Sequence, residues 1–251
     1  RQMTSRAYTQ ITRHEALVGN QAMERRFSLF PGDTLSLRQF IGDRGYVEWI
    51  EKPAADWAIA DATGARHGRN ALPEWSESCD ELGATLWSVW AGPDLTVRAW
   101  CLAFHDLPAL ARGLTVTPHG APIPEPLRVT VEQLALRQDG AGILDDTLSR
   151  RLPQGTWFGS RAAAELRGAG GVGLLLAACP RGYFELFSPD PALVRVGFDS
   201  PADYPDPLRQ IVVMVPYTGH PGPASGMLEE ALRRLRAHFS APNKNIGEPP
   251  V

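Results

Sequence analysis

The sequence predicts an α+β fold that is rich in β-structure. An antiparallel, Trp-rich meander is followed by a mixed α/β lobe that ends in an amphipathic helix. Three observations predict it. From Phe27 to Phe104, short alternating runs recur between clusters of turn-forming residues, the pattern of consecutive antiparallel strands. Six of the seven tryptophans lie between Trp49 and Trp100. Residues 227–239 place apolar side chains at helical spacing, as a helix with one buried face requires.

Taken in order, residues 9–26 carry scattered apolar positions (Ile11, Ala16, Leu17, Ala22) that read as a helix interrupted at Gly19 and Asn20. SLF, TLSLRQFI, YVEWIEK and DWAIADA follow as strands, separated by PGD, GDRG and KPAA. Residues 65–84 form a polar excursion. TLWSVWA and LTVRAWCLAF are a strand pair joined by the tight GPD turn. The second of these is apolar on both faces, which suits a central strand. HDLPALAR, 105–112, reads as a short helix.

Residues 117–126 hold four prolines (Pro118, Pro122, Pro124, Pro126). A proline cannot donate to a sheet ladder, so this segment is the expected connection between two lobes, 1–116 and 127–240. LRVTVEQLALRQ is a long strand, and residues 143–168 read as helical turns. GVGLLLAA and YFELF are strands separated by a CPRG turn, with ALVRVGF and QIVVMV after them. The helix at 227–239 presents Met227, Leu228, Ala231, Leu232, Leu235 and Phe239 on one stripe. Glu229–Arg233 and Glu230–Arg234 pair along its surface. Residues 241–251 are expected to be a disordered tail.

Composition narrows the function classes. The chain has 251 residues, 43% hydrophobic and 21% charged, ordinary values for a globular protein. No run approaches the ~20 apolar residues of a membrane helix. The net charge of −3 excludes a global basic field for nucleic acid. Yet 23 of the 25 positive residues are arginines, because Lys52 and Lys244 are the only lysines. Arginine binds carboxylate and phosphate in a bidentate fork. The three cysteines, Cys79, Cys101 and Cys179, lack metal-ligand spacing. No metal or cofactor is expected, and a reducing cytoplasmic compartment is.

No motif carries chemistry outright. Cys101 precedes His105 and Asp106 by a few residues, but it sits mid-strand in an apolar run, where a cysteine acts as a small hydrophobe. Cys179 has no evident base, and His119 belongs to no metal motif. Asp199, Asp203 and Asp206 lie among prolines and read as a solvated loop. The strand–loop–helix around Gly219, Gly222, Ser225 and Gly226 has the layout that offers backbone N–H groups to a phosphate. A connecting loop with Ser225 as helix cap explains the same residues. Trp87 and Trp90 face opposite sides of one strand. Arg98 and Trp100 share a face, and with Trp90 they are the expected recognition residues, since indole and guanidinium dominate binding surfaces.

The function expected from this is a non-enzymatic binding or assembly module, an accessory subunit of a bacterial complex. Its partner would be a protein, or a nucleic acid engaging a local arginine patch. The competing class is a hydrolase or nucleotide-processing enzyme with a site assembled from dispersed residues. A concave pocket with convergent polar groups discriminates between them.

Overall fold

The computed structural model describes residues 6–119, 127–137, 142–144, 150–151, 157–187, 192–199 and 208–240. The chain order is β1 (Tyr8–Ile11), β2 (Glu15–Gly19), β3 (Met23–Ser28), β4 (Asp33–Phe40), β5 (Tyr46–Glu48), β6 (Ala54–Ala55) and β7 (Ala58–Ala60). It continues with β8 (Arg66–His67), β9 (Glu74–Cys79), β10 (Gly83–Ala91), β11 (Leu95–Phe104), β12 (Leu110–Pro118) and β13 (Arg128–Leu136). The remainder is β14 (Gly142–Leu144), β15 (Arg150–Arg151), β16 (Trp157–Arg167), β17 (Val172–Phe187), β18 (Ala192–Asp199), β19 (Leu208–Thr218) and α1 (Gly222–Ser240).

The protein is mostly antiparallel sheet with one C-terminal helix. Among the described residues, β1 to β6 form a six-stranded sheet in the order β1-β2-β3-β4-β5, with β6 also on β4. The other thirteen strands form a second sheet. Its main path is β8-β7-β13-β18-β17-β19-β12-β11-β10-β9, and β16 joins it through β17. Strand β17 links the halves of this path: residues 172–179 pair with β19 and residues 183–187 with β18. The sheet folds back on itself there, so β13 approaches β12 and β19 without pairing with them.

Several expectations are corrected. Residues 9–26 are strands, not a helix, because β2 is buried on both faces and so shows no strict alternation. HDLPALAR is a turn leading into β12, a strand nearly wholly buried, whose two apolar faces mimic a helix. The described parts of 143–168 are strands β14 and β16, with β15 between them. The CPRG segment is no turn: β17 runs through it, and a register shift between Arg161 and Ala163 of β16 absorbs the irregularity. The polar excursion hides β9, EWSESC, whose polar side chains suit the edge of the second sheet.

Strands from both sides of the 117–126 segment share the second sheet, through β12–β19 and β7–β13. Residues 120–126 themselves, and the 241–251 tail, lie outside the described residues. The second half contributes antiparallel strands and one helix, so the mixed α/β lobe takes this simpler form.

Two cores result. One lies inside the sandwich and gathers Met23, Phe27 and Leu37 of the first sheet with Trp90, Val97 and Val131 of the second and with Trp57, which just precedes β7. The other lies on the opposite face of the second sheet, where Trp87, Trp100, Phe104, Val213 and Val215 meet Ala224, Leu228, Ala231 and Leu235 of α1. The helix begins at Gly222, earlier than its apolar stripe suggests. It packs on β19 and β17. Leu235 is fully buried and Leu232 only half so, while Met227 is exposed. Glu230 takes both Arg233 and Arg234 as partners, at 2.6 and 2.7 Å.

Candidate functional site

The tryptophans build the wall behind the site. The Trp57 and Trp90 rings meet edge to face, 4.9 Å apart at 81°, a favoured aromatic geometry. Trp75 completes the group at 6.3 Å from Trp90. The Arg69 guanidinium lies 5.2 Å from the Trp57 ring and 5.8 Å from that of Trp90. Gly68 makes this approach available. Its φ is +85°, a conformation that side chains avoid, and a Cβ there would sit 2.9 Å from Val97 and 3.0 Å from Trp57.

Arg69 is the outermost member of a charge chain that runs into the sandwich. Its Nη1 donates to Asp56 Oδ1 and its Nη2 to Asp33 Oδ1, both at 2.9 Å. Asp56 Oδ2 accepts from Arg112 Nη2 at 2.7 Å. The Arg112 Nε lies 4.0 Å from Glu132. Glu132 in turn receives both terminal nitrogens of Arg25, with Nη2 at 2.7 Å from Oε1. Arg25 also reaches Thr34 Oγ1 at 2.6 Å. Phe27 lies between the two inner guanidiniums, 5.0 Å from Arg25 and 5.3 Å from Arg112. Burial works against the Arg112 charge, but Asp56 and Glu132 outweigh it and raise its pKa. Burial pushes the carboxyl of Asp33 up against the pull of Arg69. The chain alternates three arginines with three carboxylates, so its charges balance internally.

Outside this wall lies a cleft of about 520 Å³ at the β8-β7-β13-β18 end of the second sheet, in the size range of ligand sites. Four arginines line it, Arg66, Arg69, Arg128 and Arg195, with His67, Asn70, Thr130 and Gln133. Among the described residues, the lining includes no Asp or Glu. Ala60 pairs with Arg66 on one side and with Arg128 on the other, so these three residues form one row across the face. Arg195 Nε donates to Gln133 Oε1 at 2.9 Å, and Gln133 Nε2 donates to the Ala55 carbonyl at 3.0 Å. Trp57 lines the cleft too, and its buried indole N–H has no hydrogen-bond partner among the described residues. The β7–β8 hairpin is pinned by Asp61, whose Oδ1 accepts from the Thr63 N–H and hydroxyl, while Oδ2 meets His67 Nε2 at 2.8 Å. Thr63 and His67 hold that carboxyl well below the usual carboxylate range.

The recognition residues expected from sequence lie elsewhere. Trp90 is 1% exposed, inside the sandwich, and Trp100 is 6% exposed under α1. The two face opposite sides of the sheet, so Arg98, Trp90 and Trp100 do not form one surface. Arg98 is half-buried and has its own partners in the fold.

Gly219, Gly222, Ser225 and Gly226 are exposed at the start of α1. The Gly222 N–H donates to His220 Nδ1 at 3.0 Å, Pro223 has no N–H, and the Ser225 N–H donates to the Pro221 carbonyl at 3.1 Å. His220, rather than Ser225, caps the helix. These contacts engage or remove N–H groups that a phosphate would use.

Cys101 is buried, which pushes its thiol up to about 11, the behaviour of a packing cysteine. His105 accepts from the Ala7 N–H through Nδ1 and meets the Asp80 carbonyl through Nε2. It therefore packs the β1 end and does not serve Cys101. No group of His, Cys, Asp and Glu among the described residues has metal-binding geometry. Asp203 and Asp206 lie outside the described residues. Sequence reasoning alone misses the cleft. Its one sequence signal was the abundance of arginine.

No protein-family model and no curated protein matches the sequence. The fold is similar to parts of solved glycosidases. One is the galactosidase domain of an alpha-galactosidase-sucrose kinase, with a TM-score of 0.62 and 10% identity over 90% of this chain and 44% of that one. Another is the alpha-N-acetylgalactosaminidase NagBb from Bifidobacterium bifidum, with a TM-score of 0.60 and 12% identity over 87% and 38%. A third is the GH36 alpha-galactosidase AgaB from Geobacillus stearothermophilus, with a TM-score of 0.59 and 11% identity over 90% and 43%. The chain spans less than half the length of each, and at this identity the likeness is one of fold.

Proposed function

We propose that this chain is a non-enzymatic binding module whose recognition site is the arginine-lined cleft, and that its ligand is anionic, bearing carboxylate or phosphate groups. One observation carries the reading: four arginines line a concave site whose lining, among the described residues, includes no acidic side chain. Guanidinium groups bind such anions through paired N–H donors. The Arg69 charge is already matched by Asp33 and Asp56 behind the wall, so the site offers directed N–H donors rather than a net field. The arginine-based recognition expected from the sequence is thereby assigned to a different face.

Glycoside hydrolysis commonly needs a pair of carboxylates flanking the bond, and the described lining of this cleft supplies none. Binding rather than hydrolysis is the chemistry it is equipped for. The neighbours are named for enzymes acting on galactosides and an N-acetylgalactosaminide. That supports including acidic sugars among the ligands to be tried.

Calorimetric titration with inorganic phosphate, citrate and galacturonate tests the reading, with Arg66→Ala as the altered site. Arg66 is exposed on a two-residue edge strand, so its loss leaves the core intact. Binding that weakens in Arg66→Ala and falls with added salt supports the proposal. Absence of binding to every anion tried, or binding indifferent to Arg66, refutes it.

A further inference from the structure

We infer that the cleft takes an extended acidic oligosaccharide, with anionic groups on separate sugar units, rather than a single small anion. This rests on the anion-binding reading above and deepens it. Arg66 and Arg128 flank Ala60 in one cross-strand row, which sets their backbones about 10 Å apart at two strand spacings. Arg128 stands opposite Asp199, and Arg195 lies four residues along β18 from that position, roughly 13 Å at the rise of a strand. The cationic positions thus bound a strip instead of meeting at a point.

The floor of the strip is made of small side chains, Ala58, Ala60 and Thr130, in adjacent register. Such a floor leaves room for a chain the thickness of a sugar ring. Asn70, Gln133 and Thr130 supply amides and a hydroxyl at the same cleft, groups suited to sugar hydroxyls. Arg128 and Arg195 have partners within the fold as well. A guanidinium carries five donors, so a contact in the wall and one to a ligand are compatible.

Two other polyanions fit less well. A nucleic-acid strand needs exposed rings on which to stack bases, and the indole that lines the cleft among the described residues, Trp57, is fully buried. An acidic peptide added as a strand needs an open sheet edge. Here the floor is a sheet face whose central strand, β7, is paired on both sides, with β8 and with β13.

The test is calorimetric titration of the whole chain with galacturonate oligomers of one to four units. Tetragalacturonate methyl ester, poly-glutamate and oligodeoxythymidylate serve as comparison ligands. The inference predicts affinity rising about tenfold or more from monomer to tetramer, as linked contacts do, and loss of binding on methyl esterification. Arg66→Ala and Arg195→Gln should each flatten the dependence on length, with thermal melting confirming that both variants are folded. Equal affinity for monomer and tetramer overturns the extended site and leaves the anion-binding reading standing. Tighter binding of poly-glutamate or oligodeoxythymidylate than of the tetramer overturns the sugar. Failure of every anion, inorganic phosphate included, overturns both.

Discussion

Arg25 of β3 and Glu132 of β13 meet across the interface of the two sheets, 107 positions apart in the chain, with both guanidinium Nη atoms on the one carboxylate. Each residue is 1% exposed. An ion pair this deeply buried fixes how the sheets sit on one another more than it stabilises them, because desolvation offsets much of the attraction.

Removing one partner should therefore cost more than removing both. Glu132→Ala leaves Arg25 and Arg112 facing each other without their shared carboxylate, and the expected loss is about 3–5 kcal/mol. The double variant Arg25→Met, Glu132→Leu should recover part of that loss. Urea unfolding of the three proteins measures both effects. A double variant less stable than Glu132→Ala would show that the charges themselves hold the sheets.

Trp100 of β11 lies over Gly113 of β12, its cross-strand partner. A Cβ at position 113 would fall 2.1 Å from the indole ring. The ring is buried in the core on the α1 side of the sheet, so it has little room to move. Gly113→Ala should destabilise the protein by about 1–3 kcal/mol through overpacking. Near-ultraviolet circular dichroism should report the displaced indole, and an unchanged spectrum with unchanged stability would show the ring to be mobile.

The cysteines should differ sharply in reactivity. Cys79 is exposed, whereas Cys101 is buried with its thiol pushed up to about 11. The thiolate is the reactive form. A disulfide-exchange reagent at pH 8 should label Cys79 in the native protein and reach Cys101 only on unfolding. Labelling of Cys101 at a comparable rate without denaturant would mean that the β11 core opens readily.

Asp61 gives the β7–β8 hairpin a dependence on pH. Its carboxyl is held below the usual range by Thr63 and His67, so the unfolded chain takes up its proton at a higher pH than the native one. The stabilisation is full above the unfolded value of about 3.9 and fades as the pH falls through the lower native one. The stability gap between wild type and Asp61→Asn should be steady from about pH 8 to 5 and shrink below about pH 4. An equal gap at pH 7 and pH 3 would show that the ionised carboxylate adds nothing.

The helix should be held by Leu228 and Leu235 more than by Leu232. Leu228 is buried at 7% and Leu235 at 2%, whereas Leu232 is only half-buried. Leu235→Ala should cost about 2–5 kcal/mol and Leu232→Ala less. Equal losses in thermal or urea unfolding would place the buried stripe elsewhere on α1.

The elements readable from the chain are those whose two faces differ, or whose burial is uniform and bounded by turns. LTVRAWCLAF is β11 to the residue, and the apolar stripe of 227–239 falls inside α1. Misreadings fall where a strand meets protein on both sides. In β2 and β12 nearly every residue is buried, so the period of two that marks a half-buried strand vanishes. Buried charge misleads in the same way. Arg25 and Arg112 look like surface residues in the sequence, yet both sit inside the sandwich because Glu132 and Asp56 arrive from distant segments to neutralise them.

The cleft is the extreme case. Local sequence sets the rarity of lysine, the abundance of arginine and the strands that carry Arg66, Arg128 and Arg195. Nothing local brings those three together. That depends on β7 pairing with β8 on one side and β13 on the other, and on β13 pairing in turn with β18. Such pairings are chosen by burial of the opposite face, where Ile59, Val129 and Val196 enter the sandwich core. The charged face is positioned by apolar residues it never touches, so its site emerges only when the whole sheet has formed.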